Sequence, residues 1–198
     1  MKKGYWFWLL ILIILGTLVF YLYKSSNPSG EPRSPGEVAL TIKRTDGFQN
    51  WTSFPTALTN IELFGFTFNA TSTFNATSTV DVLIKTISFN TFSSSTPLTI
   101  NNIRNIRLMS DGVVLGSKST ITSSFAFNVD LTIPKGQYKS LQLRADAAPT
   151  ITPGILQFKI FDVVALDGLL GGRISVLRLP DLAPLSPANS LDSTSFYF

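Results

Sequence analysis

From Val38 onward this chain alternates apolar and polar side chains with a period of two, which commits it to extended strands with one buried face. The cleanest run is Phe125, Phe127, Val129, Leu131 and Ile133, which alternate without a fault. Val38, Leu40 and Ile42 form an earlier run, and Ile61 and Leu63 with Phe64, Phe66 and Phe68 form another after the break at Pro55. Val80, Val82 and Ile84 face one way. Ile87 and Phe89 rejoin that face only after a one-residue change of phase, which predicts a β-bulge. Ile103 to Met109 leads through Ser110-Asp111-Gly112 into Val113 to Leu115, and Asp-Gly between apolar runs predicts a tight hairpin. Pro134-Lys135-Gly136 predicts a second turn, into Tyr138, Leu141 and Leu143. Ile155 to Leu166 and Arg173 to Leu179 complete the set, separated by Asp167, Gly168 and the Gly171-Gly172 pair.

Eight or nine strands at this spacing, with no helical window after residue 24, predict an all-β domain over residues 38–180, an antiparallel immunoglobulin-like β-sandwich. The chain has no Cys, so no disulfide braces the domain and its core must hold it together. It has 16 Phe, most at alternating positions, and large rings suit the gap of about 10 Å between two packed sheets.

A different pattern precedes the strands. Tyr5 to Tyr23 runs nineteen residues without a charge, and as a helix would be roughly 28 Å long, enough to span a bilayer. Tyr5, Trp6 and Trp8 at one end and Tyr21 and Tyr23 at the other are placed as interfacial anchors. The run exceeds the apolar core of a cleaved secretory signal and lacks a small-residue cleavage site after it. Lys2, Lys3 and the amino terminus outweigh Lys24, so residues 1–24 are expected to be a cytoplasmic tip and single-pass transmembrane anchor with the bulk outside the cytoplasm. Residues 25–37 are rich in Pro, Gly and Ser and read as a stalk reaching roughly 25 to 35 Å.

Net charge is +4, but with Lys2, Lys3 and Lys24 set aside there are 13 basic residues against 12 acidic, a remainder of +1. With no basic block, nucleic acid is not expected as a partner. The chain has no His, and with no Cys either it lacks imidazole bases, thiol nucleophiles and ordinary zinc ligands. Lys118 between Ser117 and Ser119 is what a polar loop of this composition contains. Asp162 and Asp167 read as solvated turn residues rather than calcium ligands, and Glu62 and Asp81 as outward-facing surface acids. The expectation is a non-enzyme with no catalytic residue, metal or cofactor.

Two tracts remain. Phe68-Asn-Ala-Thr-Ser-Thr73 is repeated at once as Phe74-Asn-Ala-Thr-Ser-Thr79, lengthening one connection and presenting acceptor sequences for N-glycosylation at Asn69 and Asn75, to which Asn50 adds a third. Residues 181–198 form an extended carboxy-terminal tail ending in Phe196, Tyr197 and Phe198, a strand that can dock on its own sandwich or on a partner.

The segments ATSTVDVLIKTISFN, INNIRNIRLMSDGVVLGS, FNVDLTIPKGQYKSLQLRADA and ILQFKIFDVVAL resemble, in order, an immunoglobulin-like module of bacterial cell-envelope and surface proteins, most specifically over Leu131 to Asp146. That resemblance implies a structural or adhesive module at the cell surface. MKKG followed by an aromatic residue resembles the leader of type IV pilins, which implies cleavage between Gly4 and Tyr5 and assembly of residues 5–23 into a filament. The leading expectation is a membrane-anchored, extracytoplasmic structural or adhesion module. The alternatives are a pilin-like subunit and an envelope or secretion assembly component that docks through its last strand. Expected partners are membrane lipid, other envelope proteins or copies of the chain itself.

Overall fold

A computed structural model describes residues 40–45, 58–70, 80–93, 97–193 and 195–198. The predicted span 5–23, its anchor residues and cleavage point, the stalk, Asn50 and Asn75 lie outside the described residues. No helix among the described residues is long and apolar enough to cross a membrane.

The described chain is all-β, apart from a 3-10 turn at Pro97–Asn102. Its strands are β1 (Leu40–Arg44), β2 (Ile61–Asn69), β3 (Val82–Ser93), β4 (Ile103–Ser110), β5 (Val113–Lys118), β6 (Ser124–Ile133), β7 (Tyr138–Ala147), β8 (Ile155–Asp167), β9 (Arg173–Ile174), β10 (Val176–Arg178), β11 (Ala183–Pro184), β12 (Leu191–Asp192) and β13 (Phe196–Tyr197). One sheet has the order β11-β10-β1-β2-β7-β4-β5. The other has the order β12-β8-β3-β6, with β9 and β13 also pairing with β8. All pairs are antiparallel except β1 with β10.

The alternation in the sequence becomes two inner faces. On β6, Phe125, Phe127, Val129, Leu131 and Ile133 are buried while Asn128, Asp130 and Thr132 are exposed. The bulge expected in β3 is present: its register with both β6 and β8 shifts between Ile84 and Thr86, which keeps Ile84 and Ile87 buried together. A second shift, between Glu62 and Phe64, keeps Ile61 and Leu63 buried along with Phe64, Phe66 and Phe68. At the hairpin, Asp111 and Gly112 both have positive φ (50° and 80°), as the two central residues of a type I′ turn require.

Phenylalanine rings join the sheets. Phe66 of β2 lies 6.2 Å from Phe89 of β3, which stacks on Phe125 at 5.2 Å; Phe125 meets Phe158 at 6.4 Å, and Phe158 meets Phe196 at 6.2 Å. Each fully buried ring contributes about 1.5–3 kcal/mol of transfer free energy, which supplies what a disulfide would otherwise add.

Residues 181–198 do not stop at the boundary of the alternating region. Leu191 and Asp192 pair with Ile160 and Lys159, Phe196 and Tyr197 pair with Leu156 and Ile155, and Ser193 joins the two segments. The Ser193 amide donates to the Phe158 carbonyl at 2.8 Å, and the Phe158 amide donates to Ser193 Oγ at 2.9 Å. The Phe198 amide closes the series on the Gly154 carbonyl at 2.9 Å. The end of the tail, from Leu191, is therefore an irregular edge strand along Gly154 and the first half of β8, masking backbone groups that would otherwise template association, while Ala183–Pro184 pair with β10 in the other sheet.

Candidate functional site

The densest polar constellation sits where the chain enters β2, against β4 and β7. Asp146 Oδ1 accepts from the Asn60 amide at 2.8 Å and from an Arg107 guanidinium nitrogen at 2.6 Å, while Oδ2 accepts from the Asn105 side-chain amide at 2.9 Å. Asn60 and Asn105 both adopt positive φ (58° and 50°), a conformation Asn tolerates better than most residues. Arg144 donates through Nε and a terminal nitrogen to the Asn60 carbonyl, at 3.1 and 2.7 Å, and its other terminal nitrogen reaches Gln142 Oε1 at 3.2 Å. Asn60 is thus gripped at both its amide and its carbonyl.

The electrostatics follow from these partners. Burial pulls the Asp146 carboxyl upward, but the Asn60 amide, the Asn105 side chain and Arg107 outweigh it and hold the group below the ordinary aspartate value. Glu62, opposite Arg144 in the β2–β7 register, goes the other way: partial burial raises it, and the attraction of Arg144 only partly offsets that. Glu62 is therefore half-buried rather than the ordinary surface acid its outward phase predicts. Arg107 Nε is buried without a hydrogen-bond partner. Both Asp146 oxygens are occupied, so this constellation works as a clamp that fixes the 58–60 segment to β4 and β7.

The other residues singled out in the sequence are dispersed. Lys118 Nζ lies 5.8 Å from the centroid of the Phe127 ring, a cation-π contact at the sandwich edge. There Gly116 lets β5 close on β6, since a Cβ on it would come within 2.8 Å of Phe127 Cδ1. Asp162 pairs with Arg173 at 3.1 Å. Asp167 is not a solvated turn residue. It is 3% exposed, and its Oδ1 accepts from the Leu169 and Leu170 amides at 2.8 and 2.9 Å. Asp81 Oδ1 accepts from the Lys135 amide at 3.0 Å. No group of three or more metal-ligating side chains is assembled among the described residues. Asn69 ends β2, with its carbonyl accepting from Thr41 Oγ1 at 3.4 Å. Of the terminal aromatics, Phe196 is fully buried, Tyr197 is exposed, and both belong to the edge strand on β8.

No family model matches this sequence, and no curated protein matches it either. Among solved structures, the chain is similar to a family 123 glycoside hydrolase from Clostridium perfringens, solved to detail glycolipid glycan hydrolysis, with 15% identity and a TM-score of 0.34 over 72% of this chain. This chain spans 22% of that hydrolase. It is also similar to BslA, a bacterial hydrophobin, with 11% identity and a TM-score of 0.25 over 64% of this chain and 82% of that one.

Proposed function

We propose that this chain is a single-pass, membrane-anchored module of the cell envelope, in which a non-catalytic immunoglobulin-like sandwich is held outside the cytoplasm for a structural or adhesive role. The observation that carries the reading is that, among the described residues, the strands from Leu40 onward bury a continuous apolar core between the two sheets. The uncharged stretch 5–23 is then not needed as a core element, and its length and aromatic ends suit a bilayer. The strand order β1-β2-β7-β4 against β8-β3 parallels the A-B-E-D and F-C pairings of immunoglobulin-like domains, which favours that architecture. The constellation around Asp146 supports a structural role, because both carboxylate oxygens are spent on protein donors that tie the 58–60 segment to β4 and β7.

The test is fractionation of the source cells with protease added outside intact cells, followed by the intact mass and amino-terminal sequence of the membrane-bound product. An uncleaved start at Met1 or Lys2, with the sandwich digested or shaved from outside, is the expected result. A start at Tyr5 would instead make residues 5–23 the packing segment of a filament subunit. A start beyond Lys24 or recovery in the cytosol would sink the anchor.

A further inference from the structure

We propose that the β8–β9 loop, led by Leu169 and Leu170, inserts into the interface of a phospholipid bilayer. The proposal rests on the anchor reading given above. Leu169 and Leu170 are 77% and 75% exposed, an unusual state for two consecutive leucines.

The loop that presents them is built to do so. Asp167 keeps a carboxylate buried to hold the amides of both leucines, and its carbonyl accepts from the Gly171 amide at 2.8 Å. The Asp167 amide donates to the Gly172 carbonyl at 2.8 Å. On the other side the Gly168 amide donates to the Asp81 carbonyl at 2.8 Å, so close that a Cβ on Gly168 would meet that oxygen at 2.9 Å. Five hydrogen bonds thus fix a short loop whose two apolar side chains touch water. Nothing in the packing of the sandwich requires leucine at these positions, whereas an interfacial anchor needs apolar side chains displayed without an entropy cost on contact.

The surroundings of the loop point to lipid as the occupant. The short turn from Ile133 to Tyr138 joins the two sheets at the end where β8 finishes, and the same end carries Asn69 and Leu40. Tyr138, Val113 and Val114, also exposed, lie at this end. Leu40 is where the chain arrives from the apolar stretch 5–23. Sixteen residues separate Tyr23 from Leu40. Lys135 lines a shallow pocket with Leu169, Gly168, Val80 and Asp81, and its ammonium makes no ion pair among the described residues. A cation beside protruding apolar side chains is the arrangement that a phosphate headgroup above acyl chains satisfies.

The chain has no Cys, so a single environment-sensitive label can be placed at will. Full-length protein carrying Leu170→Cys with an attached fluorophore is reconstituted into vesicles of phosphatidylcholine and phosphatidylglycerol containing shallow spin-labelled lipid. Tyr197→Cys, at the opposite end of β8, serves as the reference. The expected result is a blue shift and several-fold stronger quenching at position 170 than at 197, with the difference reduced by Lys135→Glu. Protein that floats with the vesicles and resists alkaline extraction, yet shows equal weak quenching at both sites, overturns the insertion while leaving the anchor intact. Protein that fails to float overturns both. Disulfide crosslinking between unlabelled Leu170→Cys chains would assign the loop to a second copy and overturn the lipid contact.

Discussion

Replacing Phe196 by Ala tests whether the last eight residues belong to the fold. The ring is fully buried, lies 6.2 Å from Phe158, and sits on a strand of only two residues paired with Leu156 and Ile155. An aromatic side chain buries roughly 150–250 Å², which at about 25 cal/mol per Å² gives an upper figure of about 4–6 kcal/mol. Two corrections lower it. The unfolded chain already shields part of that area, and the short tail can undock as a unit instead of leaving a cavity. Both corrections bring the expected loss to about 3 kcal/mol, at the lower end of measured Phe→Ala costs in cores. With a urea slope of about 1–3 kcal/mol per molar, the midpoint followed by far-ultraviolet circular dichroism of the full chain in detergent should fall by about 1–3 M. Tyr197→Ala, at a site half exposed, should cost under about 1 kcal/mol. A Phe196→Ala midpoint equal to that of the parent protein would refute the reasoning, because it would mean that the tail contributes nothing to the folded state. Phe196→Leu, which keeps most of the volume, should recover most of the stability.

The Asp146 clamp and Glu62 carry opposite pH signatures. Asp146 is depressed in the folded state, so its contribution is fully present above the ordinary aspartate value near 3.9 and is lost as pH falls through its lower folded value; Asp146→Asn should flatten the acid limb of a stability-pH curve in that window. Glu62 is raised, so its charge opposes folding at neutral pH and that penalty disappears as pH falls below about 4; Glu62→Gln should be slightly stabilising at pH 7 and neutral in acid, by thermal melts across the range. Asp167→Ala strips two loop amides of their acceptor and should cost about 1–3 kcal/mol while opening the 168–172 loop to limited proteolysis, and a variant cut no faster than the parent chain would count against the clamp. Two exposed glycines should separate by mechanism. Gly112→Ala has room but a φ of +80°, costing about 1–2 kcal/mol, whereas Gly168→Ala must push the Asp81 carbonyl away and should distort the loop measurably by amide exchange around Asp81 and Leu169.

What could be read from the sequence follows the range over which each signal acts. Strands β2 to β8 have enough residues to display a period, and the change of phase after Ile84 marks the bulge because a one-residue slip moves every later side chain to the other face. Asp111-Gly112 is legible for a similar reason: the turn is decided by its own two residues. The strands β11, β12 and β13 are two residues each, too short to show alternation, and only the edges they cover, β10 for β11 and β8 for β12 and β13, give them a role. The Asp146 clamp joins residues 39 to 86 positions apart, and each member alone looks like a surface polar residue. Asp167 is the most instructive case, since Asp-Gly after a strand reads as a solvated turn, and its burial exists only once the loop folds back over the carboxylate. The same closure that hides the acid turns Leu169 and Leu170 outward. Alternation alone says nothing of these two leucines, which lie between two runs, so their exposure, like the burial of Asp167, is set by the closure of the loop.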